Sequence, residues 1–286
     1  MIQPIVVGTD GSSRADLAVE WAADEATLRR RPLHIVHAAE RWEHDMPFYT
    51  VPGTCESLTE TGEHVLAEAV ERAAKARPGL PVTSELVFDA PVRALRSQGR
   101  RAGEIVVGHR GLGGFAGMLL GSTGLRLAAH VPVPTVVVRG EARERRHEVL
   151  AGVDLSEDTE ASGASKASEA VLRYAFEAAA LRDAWVHVVH AWQVPAMLPT
   201  VSVCEAEAVT RDRLDDALAP WRARYPDVGV VEQTPRAHPV GALTACSSRA
   251  VLLVVGPGRR ETRLGSVAHG VIHHADCPVA LVGLPG

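Results

Sequence analysis

Short runs such as PIVVG, LHIVH, EIVV and TVVV are apolar at consecutive positions rather than at alternate ones, the pattern of strands buried on both faces. Between them lie longer alanine-rich amphipathic segments. ADLAVEWAADEATLRR carries Leu17, Trp21 and Leu28 at helical spacing. Strand and helix in alternation predict a parallel sheet covered by helices on both sides.

The pattern runs through twice. PIVVGTDGS is answered by VLAGVDLS, LHIVHAAERW by VHVVHAWQVP, GEIVVG by AVLLVVG, and HVPVPTVVV by HADCPVALV. Asp10 to Asp154 and Gly121 to Gly265 are both steps of 144 positions in a chain of 286, so this is a duplicated domain and not a short-period solenoid. The second copy's first helix, SEAVLRYAFEAAALR, places Val171, Tyr174, Phe176 and Leu181 at helical spacing. Each copy supplies about five strands and four helices, a doubly wound α/β sheet in which ligands sit at the carboxyl ends of the strands. The charged segment Gly140–Glu148, GEARERRHE, lacks apolar periodicity and reads as the linker between domains 1–141 and 148–286.

Composition narrows the function classes. A net charge of −5 provides no overall basic field, which argues against nucleic acid as the main partner. No apolar segment approaches the ~20 residues that span a bilayer and the N-terminus lacks a basic leader, so a cytoplasmic protein without membrane association is expected. The four cysteines form no C-x-x-C pair and read as free thiols in a reducing compartment.

The candidate chemistry is the glycine-rich stretch GHRGLGGFAGMLLGSTG, Gly108–Gly124, which follows the strand EIVV. Glycines at a strand end let backbone pass close to a ligand, and a helix starting near Ser122 would direct free N–H groups and its positive dipole end at one point, which suits phosphate. A tight turn with Ser122 as an N-cap is the plainer explanation of the loop taken alone. No Walker lysine follows, so this is not a P-loop NTPase. Asp10, in VVGTDGSS, adds a carboxylate at the end of the first strand, suited to a ribose hydroxyl or to a metal bridging phosphates.

VVGTDGS, HIVHA, the G-x-x-G-x9-G-S loop and a closing strand of the CPV or PVPTVVV type together resemble the universal stress protein family in its tandem two-domain form. The resemblance covers almost the whole chain. It implies two Rossmann-like adenine-nucleotide-binding domains, with ATP, accompanied by magnesium or manganese, as ligand. Matched by position, it assigns Asp10 after strand one, Ala38 as the backbone that meets adenine, and Val107, Gly108, Arg110, Gly111, Gly121, Ser122 and Thr123 as the loop. All lie in the first copy. It implies a nucleotide-dependent role in stress signalling through protein partners that the sequence does not name; a slow ATP phosphohydrolase and a ligand-free dimerisation scaffold stand as alternatives. No base, arginine finger or Walker lysine supports fast turnover, and no catalytic residue is assigned.

The second copy departs from the pattern. Its loop, GPGRRETRLGS, is four residues shorter between the corresponding glycines, Pro257 removes a backbone donor, and Arg259 replaces a motif glycine. A nine-residue insertion, small and acidic, follows Asp154. The expectation is ATP binding by the first copy and a degenerate second site. His269 and His273 share a helix face, but no further ligands are placed beside them and they read as packing residues rather than a metal site. Cys55 and Cys204 fall at similar places after strand two, in mobile loops by this reading.

The closing strands TVVV and VALV would lie at sheet edges, and an apolar edge must be covered or paired. In the family this strand pairs domains across a twofold axis, which predicts an intramolecular pseudo-dimer and leaves homodimerisation of whole chains open. Isolated residues 1–141 should therefore self-associate in analytical ultracentrifugation; a monomer at high concentration would contradict the pairing.

Overall fold

A computed structural model of the chain describes residues 2–40, 54–109, 126–127, 133–139, 147–155, 164–193, 203–258 and 264–283. The chain divides into two compact units, Met1–Val138 and Arg139–Gly286.

In the first unit the apolar runs form β1 (Ile5–Thr9), β2 (Leu33–Ala38), β3 (Val82–Val87), β4 (Glu104–Gly108) and β5 (Thr135–Val138). They are ordered β3-β2-β1-β4-β5, and β1–β2, β1–β4, β2–β3 and β4–β5 all pair in parallel. Parallel neighbours need crossovers, and helices α1 (Ser13–Leu28), α2 (Thr54–Ala76) and α3 (Pro91–Gly99) supply those described. Ser12 caps α1 by accepting the Ala15 N–H, and Pro91 opens α3, where its missing donor costs nothing.

The second unit repeats the design. Its strands are β6 (Glu148–Gly152), β7 (Trp185–Val189), β8 (Val230–Gln233), β9 (Ala250–Val255) and β10 (Val279–Leu281), in the order β8-β7-β6-β9-β10 and again parallel. Its described helices are α4 (Ala164–Ala180), α5 (Val203–Arg224), α6 (Pro239–Ser247) and α7 (Ser266–His274). Glu148, the last residue of the charged linker segment, already belongs to β6. Among the described residues no helix is long and apolar enough to cross a membrane.

The helix faces follow the sequence reading only in part. In α1 the buried stripe is Ala15, Ala18, Val19, Ala22, Ala23 and Ala26, whereas Leu17 and Leu28 are exposed. Small side chains let the helix lie close to the sheet, so area is buried through backbone proximity and not through large side chains. In α4 the expected large residues do enter the core: Val171, Tyr174 and Phe176 are buried, with Phe176 stacked 5.9 Å from Trp221, while Leu181 stays outside. Cys55 and Cys204 lie in the first turns of α2 and α5 rather than in loops.

Candidate functional site

The crossovers of the first unit run from β1 out to β3 on one side, and the chain then returns to β4 on the other side of β1. The carboxyl ends of β1 and β4 are thus a topological switch point, the place where doubly wound sheets bind their ligands. Gly8 sits opposite Val107 and Gly8 also opposite Val36, so the ends of β4, β1 and β2 are level. This register brings Asp10, Ala38, Val107 and Gly108 together along one rim.

Each of the four has a distinct part. The Asp10 carboxylate accepts the Ser12 N–H at 3.1 Å, bending the chain into α1, and Gly11 takes a left-handed φ of +77° next to Val65. Ala38 closes β2 opposite Val87, half-buried. The Val107 side chain is in the core, so only its backbone can face a ligand. Gly108 is a close-approach glycine: a Cβ there would stand 2.8 Å from the Arg14 carbonyl oxygen and 3.3 Å from the Ala15 nitrogen, at the start of α1. Arg110, Gly111, Gly121, Ser122 and Thr123 lie outside the described residues.

A histidine that the sequence reading passed over braces this rim. His37 Nδ1 donates to the Thr9 carbonyl across 2.8 Å, tying the end of β2 to that of β1. His190 repeats the contact in the second unit, 3.0 Å from the Val153 carbonyl. The recurrence of HIVHA as VHVVHA was the signal available in the sequence.

The second unit's rim is drawn together by its own groups. Ser168, standing where the first copy has Ala15, accepts the Asp154 N–H at 3.1 Å and donates to the Asp154 carbonyl at 2.9 Å. Trp192, standing where the first copy has Ala39, donates its indole N–H to the Thr234 carbonyl at 3.0 Å and spans the ends of β7 and β8. Beyond β9, Gly258 has a φ of +112° and a Cβ on it would come within 2.7 Å of Gly265 Cα; the Gly265 N–H also bonds the Pro257 carbonyl at 2.7 Å. The two ends of the short loop are therefore in backbone contact. Residues 259–263, with Arg259, lie outside the described residues, as do 156–163 of the insertion.

Other groups carry less. His269 and His273 have ring centroids 4.5 Å apart on α7. Burial first, then the charges of His269, His274 and Arg139, hold His273 below the ordinary histidine pKa. Among the described residues no three His, Cys, Asp or Glu side chains gather as a metal centre. Cys204, Cys246 and Cys277 are in no disulfide, and burial raises the Cys246 thiol, which disfavours the reactive thiolate.

The model of the universal stress protein family matches residues 1–139 and again residues 146–283. A universal stress protein of Mycolicibacterium smegmatis (strain ATCC 700084 / mc(2)155) is 33% identical over 293 residues, spanning 97% of this chain and 96% of its own. One from Mycobacterium tuberculosis (strain ATCC 25618 / H37Rv) is also 33% identical, over 96% of this chain and 94% of its own. The crystal structure of a universal stress protein from Archaeoglobus fulgidus DSM 4304 has the same fold, with a TM-score of 0.70 over 98% of both chains at 17% identity. With two family matches that together cover nearly its whole length, the chain belongs to the universal stress protein family.

Proposed function

We propose that this protein binds ATP in its first unit and uses occupancy of that site to signal to a protein partner. The observation that carries the reading is the meeting of Asp10 and Gly108 at the β1–β4 switch point, where an acid and a close-approach glycine flank the start of α1. Ligands of doubly wound sheets bind at such points. The nucleotide's ribose suits the Asp10 carboxylate, its adenine the backbone at Ala38, and its phosphates the loop of Arg110, Gly111, Gly121, Ser122 and Thr123. Asp10 is the carboxylate at the strand end that would hold a magnesium or manganese ion bridging the phosphates.

In the second unit, Ser168, Trp192 and the Pro257–Gly265 contact occupy the corresponding rim with internal bonds. That unit is proposed to serve as a partner domain without ATP. Mass spectrometry of the protein as purified should find adenine nucleotide co-eluting at up to one per chain. ATP turnover well above the spontaneous rate would favour the phosphohydrolase instead, and the absence of both bound and titratable nucleotide would favour the scaffold.

A further inference from the structure

The amino ends of the first unit's strands, opposite the switch point, carry an arginine cluster. Arg30 and Arg31 stand immediately before β2, Arg100 and Arg101 just before β4, and Arg96 in the last turn of α3. Since β2 and β4 flank β1, the two doublets lie about 10 Å apart, two strand spacings. Arg31 reaches across β1: its Nη1 lies in the space that a Cβ on Gly103 would take, with Gln3 alongside. Arg30, Arg96, Arg100 and Arg101 are exposed and Arg31 is half-exposed.

None of the five forms an ion pair with a described residue. The nearby carboxylates are already engaged: Glu25 and Glu104 with Arg29, Asp24 with Arg77, and Glu85 with His34 and Gln98. A concentration of unpaired positive charge in a chain of net −5 requires an explanation.

Stabilisation of helix ends is the first one to consider, since α1 and α3 both terminate here and cations favour helix carboxyl ends. The duplicated fold is an internal control. At the same five places the second unit has Asp183, Ala184, Thr244, Ser248 and Arg249, one acid and one base. The backbone is nevertheless the same: Arg30 and Asp183 have φ of 53° and 50°, and Arg100 and Ser248 both cap their helices with N–H bonds to Gln98 and Cys246 carbonyls. Where Arg31 is replaced by Ala184, Val251 replaces Gly103. The arginines are therefore not required by this fold.

We propose that this end of the first unit is a docking surface for an acidic segment of a partner protein, held by carboxylates against the arginine doublets. Arginine without lysine fits bidentate recognition of carboxylate, and the patch spans only a few side chains. A nucleic-acid strand fits less well. No aromatic residue interleaves the arginines to stack bases, and the acidic remainder of the chain repels a polyanion longer than the patch.

The test is fluorescence anisotropy of a labelled octaglutamate peptide with the full chain at low and high salt. Wild type should bind the peptide, more weakly as salt rises. The variant R30D/R31A, which installs the second unit's own residues and so should keep its fold by circular dichroism, should lose about tenfold or more in affinity. R100S should lose less but measurably. R173A/R211D, the same change in charge on exposed positions of α4 and α5, should bind as wild type does. No binding by wild type, or an equal loss in R173A/R211D, would overturn the proposal. So would duplex DNA or phosphatidylserine vesicles binding more tightly than the peptide through the same arginines.

Discussion

Asp10→Ala is expected to weaken ATP binding by about 10- to 100-fold, and Asp154→Ala to leave whatever binding the chain has unchanged. The first figure corresponds to loss of a charge-assisted hydrogen bond, about 1.5–3 kcal/mol. Asp10 follows the central strand beside β4 and also accepts the Ser12 N–H, so its removal withdraws the carboxylate proposed to meet the nucleotide and loosens the entry into α1. Asp10→Asn separates the two effects, since an amide oxygen can keep the Ser12 bond while the charge is lost. Binding by Asp10→Asn should fall nearly as far as in the alanine variant if the carboxylate meets ribose or cation directly. Asp154 is exposed, and its backbone N–H and carbonyl are both held by Ser168. Equal losses from Asp10→Ala and Asp154→Ala in calorimetric titration would mean two equivalent sites.

Gly108→Ala should destabilise the protein by about 1–3 kcal/mol, whereas Gly256→Ala should stay within about 0.5 kcal/mol of wild type. The two glycines occupy equivalent strand ends and neither has a left-handed φ, so the contrast isolates steric approach. At Gly108 the obstructing atoms are Arg14 and Ala15 backbone, which can move only if α1 moves. At Gly256 the nearest atom is the Ala167 Cβ, at 4.0 Å, an ordinary contact. Thermal unfolding would measure both, and ATP affinity should fall in Gly108→Ala as well, because the displaced start of α1 adjoins the proposed site. Equal shifts in the two variants would show that the first unit's strand end has slack that its backbone positions do not suggest.

The sheet was readable because strands buried on both faces leave uninterrupted apolar runs, and the duplication because EIVVG and LLVVG recur in register. The side chains that cover the sheet were less readable. Leu17 and Leu28 mark a helical stripe in the sequence, yet alanine lines the buried face of α1, since close helix–sheet packing selects small residues that periodicity counts as weak signal. At the site, Asp10 and Gly108 could be picked out by residue type and position after a strand. Ser168 and Trp192 could not. Each replaces an alanine of the first copy, and its effect depends on a carbonyl brought near by folding: that of Asp154 for the serine, that of Thr234 for the tryptophan. The arginine cluster was hidden for the same reason, because Arg31 and Gly103 are neighbours only across the sheet.

The asymmetry between the units is the centre of this account, and stoichiometry addresses it most directly. The first unit places an acid and a close-approach glycine at one switch point and has the longer loop in its sequence; the second bonds the corresponding rim to itself. Titration of nucleotide-free full-length protein with ATP and magnesium in a calorimeter should give a single class of site at one ATP per chain. Two ATP per chain would contradict it.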